Sequence, residues 1–290
     1  MCLAAFAIST SSRWPLVLAS NRDEFFDRPA LPLATWQTAA GQRIISGRDE
    51  QAGGSWLGMS PNGRVALLTN VRETALQAQP QSRGELVIDW LSGTGDARSF
   101  AAKKDGSLYG GFNIVLGDLQ QGQWYGWSNR PAGATPVLPQ PLADGVYGLS
   151  NAALDTPWPK TVALKSALRT ALNTAINPAS PAELQRALFK ALSNPDRAAI
   201  GELPKTGVPL ELEHALSSAH VSLPERNYGT RCASVIVVSA ARQKDGRTDR
   251  VWDVSFTDTS FVPHPDGSTS EAVAAVNFSV PLPAATSATD

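Results

Sequence analysis

The residue with the most chemistry to offer in this sequence is a cysteine directly behind the initiator. Cysteine is small enough for Met1 to be trimmed, which leaves Cys2 as the first residue of the mature chain. Its thiol and a free α-amine then share one carbon. An α-amine has a reference pKa of about 7.7–8.0, so near neutral pH it can take the proton of its own side chain. The same cysteine also suits a core strand, because free cysteines are usually small buried apolar groups.

Several downstream residues fit a thiol nucleophile. Asn21-Arg22-Asp23-Glu24 closes an apolar run. An acid such as Asp23 raises the pKa of a nearby α-ammonium, and an arginine such as Arg22 favours thiolate. As a generic quartet the same residues form a solvated turn. Asn70 and Asn151 each end an expected strand, where an amide is well placed to donate to a tetrahedral oxyanion. Losing such a donor typically costs about 10²–10³ in rate. Asparagine is also a common turn former at strand ends. Arg231 follows Gly229-Thr230 ahead of an apolar run, where a structural ion pair is the alternative role, and Cys232 beside it reads as a core thiol. Trp56, Trp90, Trp124, Trp127 and Trp158 are enough aromatics to line an apolar pocket, although filling the core is their commoner use.

These residues need elements to carry them. Cys2–Ser9 and Leu16–Ser20, joined by Thr10-Ser11-Ser12, read as a hairpin that returns Asp23 to the end of the sheet where Cys2 begins. Residues 25–32, with Asp27-Arg28-Pro29, read as a loop. A short strand is expected at 44–47, then Asn62-Gly63 as the turn before a strand that ends at Asn70. Leu86, Val87, Trp90 and Leu91 have helical spacing, and a second short helix is expected near 96–103. Strands follow at 112–116, 123–128 and 145–150. Helices are expected over 159–176, over 181–192 behind a Ser180/Glu183 capping box, and near 211–218. The unbroken apolar run 233–239 predicts a strand buried on both faces, and further strands are expected at 251–257 and 272–280. Strands at both ends with helices between them predict an α+β fold of packed sheets with outer helices. No repeat or linker divides it. One domain over residues 1–280 and a disordered Pro/Ala/Ser/Thr tail over 281–290 are expected.

Composition narrows the function classes. The 290 residues are 42% hydrophobic and 18% charged, as in a soluble globular protein. With 25 basic and 26 acidic residues there is no electrostatic footprint for nucleic acid. Two cysteines and three widely spaced histidines, His214, His220 and His264, give neither a disulfide framework nor a metal-ligand spacing, so no metal or cofactor is expected. The apolar stretch 3–10 has no basic residue before it and is interrupted by Arg13, unlike an export signal, and no run approaches a membrane span. A cytoplasmic location is expected.

Met1-Cys2-Leu3-Ala4 followed by Asn21-Arg22-Asp23-Glu24-Phe25-Phe26-Asp27-Arg28-Pro29 resembles the N-terminal signature of the NRDE family, also called the transport and Golgi organisation 2 family. Gly53-Gly54-Ser55-Trp56-Leu57-Gly58, Thr69-Asn70-Val71-Arg72, Ser82-Arg83-Gly84, Leu149-Ser150-Asn151, Asp155-Thr156-Pro157-Trp158-Pro159-Lys160 and Tyr228-Gly229-Thr230-Arg231 extend the resemblance over most of the chain. It implies the four-layer αββα sandwich of N-terminal nucleophile (Ntn) hydrolases. The pattern is also similar to that of cysteine amidases that cleave conjugated bile salts and penicillin V. By that resemblance Cys2 is the nucleophile, Asp23 holds the α-amine, Asn70 is the oxyanion asparagine and Asn151 the second asparagine. The amidase arginine falls at Ser20 when Asp23 is aligned, so Arg22 is displaced by two positions, with Arg231 as a spatial substitute. Eukaryotic members are associated with Golgi organisation, lipid and acyl-CoA handling and haem mobilisation. The expected function is an N-terminal-cysteine hydrolase of an amide or thioester in a small amphipathic acyl substrate. The alternative is a non-catalytic binding protein or chaperone for haem or acyl ligands on the same scaffold.

Overall fold

The computed structural model describes residues 2–73, 79–130, 138–174, 180–243, 250–264 and 268–282. The chain opens with β1 (Cys2–Ser11) and β2 (Trp14–Phe25), then β3 (Ala30–Gln37), β4 (Arg43–Asp49), β5 (Leu57–Met59) and β6 (Arg64–Asn70). Helices α1 (Arg83–Ser92) and α2 (Ala97–Ala102) precede β7 (Phe112–Asp118), β8 (Gln123–Ser128), β9 (Gln140–Pro141) and β10 (Gly145–Leu149). Three more helices follow, α3 (Pro159–Thr174), α4 (Pro181–Leu192) and α5 (Leu210–Ala215). The last strands are β11 (Ser222–Leu223), β12 (Tyr228–Gln243), β13 (Arg250–Pro263) and β14 (Thr269–Pro281). One antiparallel sheet runs β10-β1-β2-β12-β13-β14, with β11 on β12, and the other runs β3 to β9 in chain order.

Residue alternation explains the layers. Side chains of a strand point alternately to the two faces. Leu3, Ala5, Ala7, Val17 and Ala19 pack with Leu164, Leu168, Leu184 and Leu188 of α3 and α4. Their neighbours Ala4, Phe6, Ile8, Leu16 and Leu18 face the second sheet, against Ile45, Leu57, Met59, Val65 and Leu67. The far face of that sheet, with Ile44, Ala66, Ile114 and Leu116, packs on Leu86, Val87, Trp90 and Leu91 of α1. The order is helices, sheet, sheet, helices: the expected α+β sandwich. The unbroken apolar run of β12 follows from it, since Val235, Ile236, Val237 and Val238 are all fully buried, alternately toward α4 and toward the other sheet.

Local signals placed several elements correctly. Gly63 adopts φ +88° and its N–H donates to Ser60 O at 3.0 Å, which makes the Asn-Gly turn between β5 and β6. Ser180 Oγ accepts from the Glu183 N–H at 3.3 Å and the Ser180 N–H donates to Glu183 Oε2 at 2.8 Å, so α4 begins with the expected capping box. The 25–32 loop is a correction: β3 begins at Ala30. It is an edge strand, mostly exposed, and its register shifts between Leu31 and Ala34, around Pro32. Proline is tolerated at such an edge bulge, and an exposed strand carries little apolar alternation to betray it. The boundary expected at residue 280 also moves: β14 runs through Pro281, and the Leu282 N–H donates to Arg250 O at 3.0 Å. The rest of the expected tail, 283–290, lies outside the described residues.

Candidate active site

Antiparallel pairing of β1 and β2 sets Cys2 directly across from Arg22. Partners across such a pair share a face, and here the face is the one between the sheets. Ser20 pairs with Ala4 on that same face. A two-residue displacement of an arginine along β2 therefore keeps it on the correct side, because the side-chain period is two. Arg22 reaches Cys2's surroundings from closer in register than position 20 does.

Cys2 opens a cleft of about 80 Å³ at the end of the sandwich, lined also by Arg22, Asp23, Asn70, Trp56 and Arg83. Arg22 is nine-tenths buried or more; Nη2 donates to Asp49 Oδ2 at 2.7 Å and the guanidinium lies 4.4 Å from the Trp56 ring centre. Among the described residues its Nη1 has no hydrogen-bond partner, and the atom is enclosed from solvent. Asp49 is shared with Arg28, at 2.6 and 3.1 Å. Burial alone would raise the Asp49 carboxyl. The Arg28 hydrogen bonds, the Ala52 amide and both guanidinium charges outweigh it and hold the carboxyl below its ordinary value. The Cys2 thiol moves the other way. Burial pushes it up, helped by Asp23 and Glu24, and the chain's ammonium terminus and Arg22 offset only part of this.

Asp23 is one residue on, so it faces the helical layer while still lining the cleft. Its Oδ1 accepts from Thr230 Oγ1 at 2.8 Å, and its side chain is almost wholly buried. Lys160, at the start of α3, is buried nearby and donates to Leu216 O at 2.9 Å. Burial lowers its pKa, against the pull of Asp23. Ser150 Oγ donates to Cys2 O at 2.9 Å, and Asn151 Nδ2 donates to Asn70 O at 2.9 Å. The Asn70 side-chain amide forms no hydrogen bond among the described residues, which leaves it available at the cleft.

Cys2, Arg22, Asp23 and Asn70 are thus brought together, while Asn151 and Arg231 do not line the cleft. Asn151 ties the end of β6 in place from behind. Arg231 occupies a bulge in β12, where the register with β2 shifts between Thr230 and Cys232. A bulge re-aims its side chain. Arg231 Nη1 donates to the carbonyls of Phe25, Phe26 and Arg28 at 2.8–3.0 Å, which holds the turn into β3.

Cys232 flanks Arg22 on the strand opposite to β1. Two strand spacings separate the Cα atoms of the two cysteines, about 9–10 Å, beyond the roughly 7 Å that a disulfide spans. Both are free. Burial, with the charge of Asp258, raises the Cys232 thiol well above its ordinary value. Among the described residues no group of three His, Cys, Asp or Glu side chains could hold a metal ion. Arg83, Asp49 and Lys160 are the polar members of this region that residue spacing does not single out. Arg83 and Lys160 carry one local signal, since each sits in a stretch with the family's pattern, and Asp49 carries none.

The cleft wall depends on two glycines. A Cβ at Gly54 would lie 2.5 Å from the carbonyl carbon of Gly84, where Ser55 N–H donates to Gly84 O at 3.2 Å. All three obstructing atoms are Gly84 backbone, so relief requires moving the start of α1. Gly54→Ala is expected to cost about 1–3 kcal/mol. A urea midpoint unchanged from wild type would show that the turn yields freely.

A family profile described as Transport and Golgi organisation 2 matches residues 1–247. The chain is 33% identical over 275 residues to the Transport and Golgi organization protein 2 homolog of Bos taurus, covering 90% of this chain and 94% of that protein. It is 32% identical over 278 residues to the homolog of Homo sapiens, with coverage of 90% and 94%. Among solved structures it is similar to a mutant of the conjugated bile acid hydrolase from Clostridium perfringens, with a TM-score of 0.51, 7% identity, and coverage of 96% of this chain and 92% of that one. At that identity the likeness is one of fold.

Proposed function

The chain belongs to the Transport and Golgi organisation 2 family and has an Ntn-hydrolase fold, and from that premise we propose that it is an N-terminal-cysteine hydrolase of a carbon–nitrogen amide or thioester bond. The observation that carries the reading is the placement of Cys2 across from Arg22 in one cleft with Asp23 and Asn70. Once Met1 is removed, the α-amine of Cys2 takes the thiol proton and Sγ attacks the substrate carbonyl carbon. The oxyanion is held by the Asn70 amide and backbone N–H groups. As the tetrahedral adduct collapses, the ammonium returns the proton to the leaving nitrogen or sulfur and a thioester to Cys2 remains. Water, deprotonated by the same amine, then attacks that thioester, and the thiol leaves with the proton. Asp23 steadies the ammonium, and Arg22 supports the thiolate. The substrate in this reading is a small amphipathic acyl compound.

The test begins with the intact mass of the purified protein, because a retained Met1 leaves Cys2 without a free amine and ends the proposal. Iodoacetamide labelling then follows Cys2 against pH. With Met1 removed the α-ammonium sits on Cys2 itself, and the labelling rate is expected to climb as the thiol ionises with rising pH. Arg22→Met removes a charge that favours thiolate, so its profile is expected to shift to still higher pH. Cys2 is expected to label much faster than Cys232. Equal rates would favour a non-catalytic role in binding haem or acyl ligands.

A further inference from the structure

The hydrolytic steps leave one buried cation without a task. Lys160 is 5% exposed in the first turn of α3. Its Nζ donates to Leu216 O at 2.9 Å, and among the described residues no carboxylate lies within 4 Å of it. An ammonium brings three donors, and burying it without a counter-charge in contact is costly. The buried arginines of the region are compensated differently. Arg22 is bonded to Asp49, which it shares with Arg28, and Arg72 is paired with Glu213.

The packing places Lys160 behind Asp23. Side chains of β2 alternate, so Asn21 and Asp23 share the face toward the helices. Asn21 Nδ2 donates to Leu192 O at 2.9 Å and to Ala219 O at 2.8 Å. Thr230 Oγ1 donates to Asp23 and accepts from the Val221 N–H at 2.9 Å. The segment from Leu216 to Val221 is thereby laid over this face, and Lys160 holds its first residue. From the other side α3 lies over the start of β1. Leu164, one turn after Lys160, shares a core with Leu3 and Ala5. A Cβ at Gly148, which pairs with Ala5, would meet Thr161 at 2.5 Å and Lys165 at 2.7 Å. Burial lowers the Lys160 pKa; Asp23 pulls it up, Arg72 pulls it down, and Cys2 and Glu213 pull it up.

A base on Cys2 needs such a cation. A carboxylate beside an α-ammonium raises its pKa and holds its proton. Asp23 acting alone would leave the amine charged near neutral pH and unable to take the thiol proton. A positive charge behind the carboxylate offsets that pull. We propose that Lys160 is a positioning residue of the hydrolase: its ammonium, set behind Asp23, keeps the α-amine of Cys2 free of a proton near neutral pH while Asp23 still orients it. This rests on the hydrolase reading of Cys2. Other groups also act on the terminus. Arg22 and Glu24 lie 3.8 Å apart on β2 and oppose each other, and Arg83 faces Cys2 from the start of α1. On β12, Tyr228 Oη donates to Asp23 O at 3.1 Å, and burial pushes that phenol and the Cys232 thiol well up, so both stay neutral near pH 7. His220 also feels Asp23, but burial lowers its pKa, so it too is neutral there.

The experiment uses the full chain with Met1 removed and its cysteines labelled with ¹³C at Cβ. Cys2 and Cys232 are the only cysteines, and Cys232→Ser assigns the two resonances. The Cys2 Cβ shift follows both the amine and the thiol, which titrate as a pair with two apparent values. Lys160→Met removes the charge at nearly constant volume. A nearby positive charge disfavours the ammonium and favours the thiolate, so both steps are expected to move up in this variant, by about 0.5–1 pH unit. The neutral amine at pH 7 then falls by roughly three- to tenfold. Lys160→Arg keeps the charge and is expected to titrate close to wild type. A lysine that only fills space would change the thermal midpoint and leave both steps in place. That result, or equal shifts in Lys160→Met and Lys160→Arg, overturns the proposal. A ¹⁵N-lysine spectrum of the wild type needs no variant to fold. Lys160 Nζ, assigned by through-bond correlation, is expected to be an ammonium at pH 7, and a neutral amine there overturns the proposal as well. Turnover of an acyl amide or thioester without the titration shift sinks the role of Lys160 alone. The shift without turnover of any acyl donor by the wild type sinks the hydrolase reading and leaves the coupling of Lys160 to the terminus standing.

Discussion

Cys2→Ala is expected to abolish turnover of every amide and thioester substrate the wild type accepts, by more than about 10³-fold. The effect is large because the proposed mechanism puts the nucleophile and its base on one residue, and the variant keeps the amine but has nothing for it to activate. Cys232 cannot take over. It lies on the far side of Arg22 from Cys2, its thiol is pushed well up by burial, and Asp258 is its hydrogen-bond partner. The loss will not come from unfolding. Cys2 is a small residue at the start of β1, and alanine fills nearly the same space on a strand that already contains Ala4, Ala5 and Ala7. A thermal midpoint close to wild type together with lost turnover is the expected pair of results. Retained activity in Cys2→Ala would remove the cysteine from the chemistry.

The second large effect concerns stability. Arg72 and Glu213 form a buried ion pair, with side-chain exposures of 6% and 3%. Arg72 also lies over the Trp158 ring at 4.8 Å, and Thr206 Oγ1 donates to Glu213. Arg72→Met leaves the carboxylate in the interior without its counter-charge, and breaking a buried pair in this way typically costs about 3–5 kcal/mol. The double variant Arg72→Met, Glu213→Leu removes both charges and is expected to recover much of that loss, since a well-packed apolar pair is often no less stable than the ion pair. Urea unfolding of wild type, both single variants and the double variant reads the coupling. A double variant no more stable than Arg72→Met would mean that packing around Trp158, and not the charge, carries the cost. The pair also bears on the site: the Arg72 N–H donates to Asn151 O at 2.8 Å, directly behind Asn70.

How much of this was legible in the sequence follows the range of the interaction involved. The β1–β2 hairpin, the Asn62-Gly63 turn and the Ser180 capping box are set by neighbours within a few residues, and each is readable from residue type and spacing. The hairpin alone brings Asp23 and Arg22 back to Cys2, so the centre of the candidate site was visible. Arg22 looked out of register, but the two-residue period of a strand keeps it on the thiol's face. What was not legible depends on contacts across the fold. Arg231 is turned away from the cleft by a bulge that only the pairing of β12 with β2 creates. Asn151 becomes a brace because β10 meets the end of β6, far away in sequence. Arg83 reaches the cleft only because Gly54 and Gly84 let two backbone segments touch. Strand β3 carries too little buried surface to show its period.

Ser150 and Asn151 act together as a caliper. One side chain grips the carbonyl of Cys2 and the next grips the carbonyl of Asn70, so adjacent residues hold one point on each sheet. Sliding of either sheet along its strands would strain a bond at one jaw before it changed the gap across the cleft. The span between the Cys2 sulfur and the Asn70 amide opposite it is thereby fixed before any ligand arrives, and the tolerance of that gap is set by a dipeptide that does not itself line the cleft.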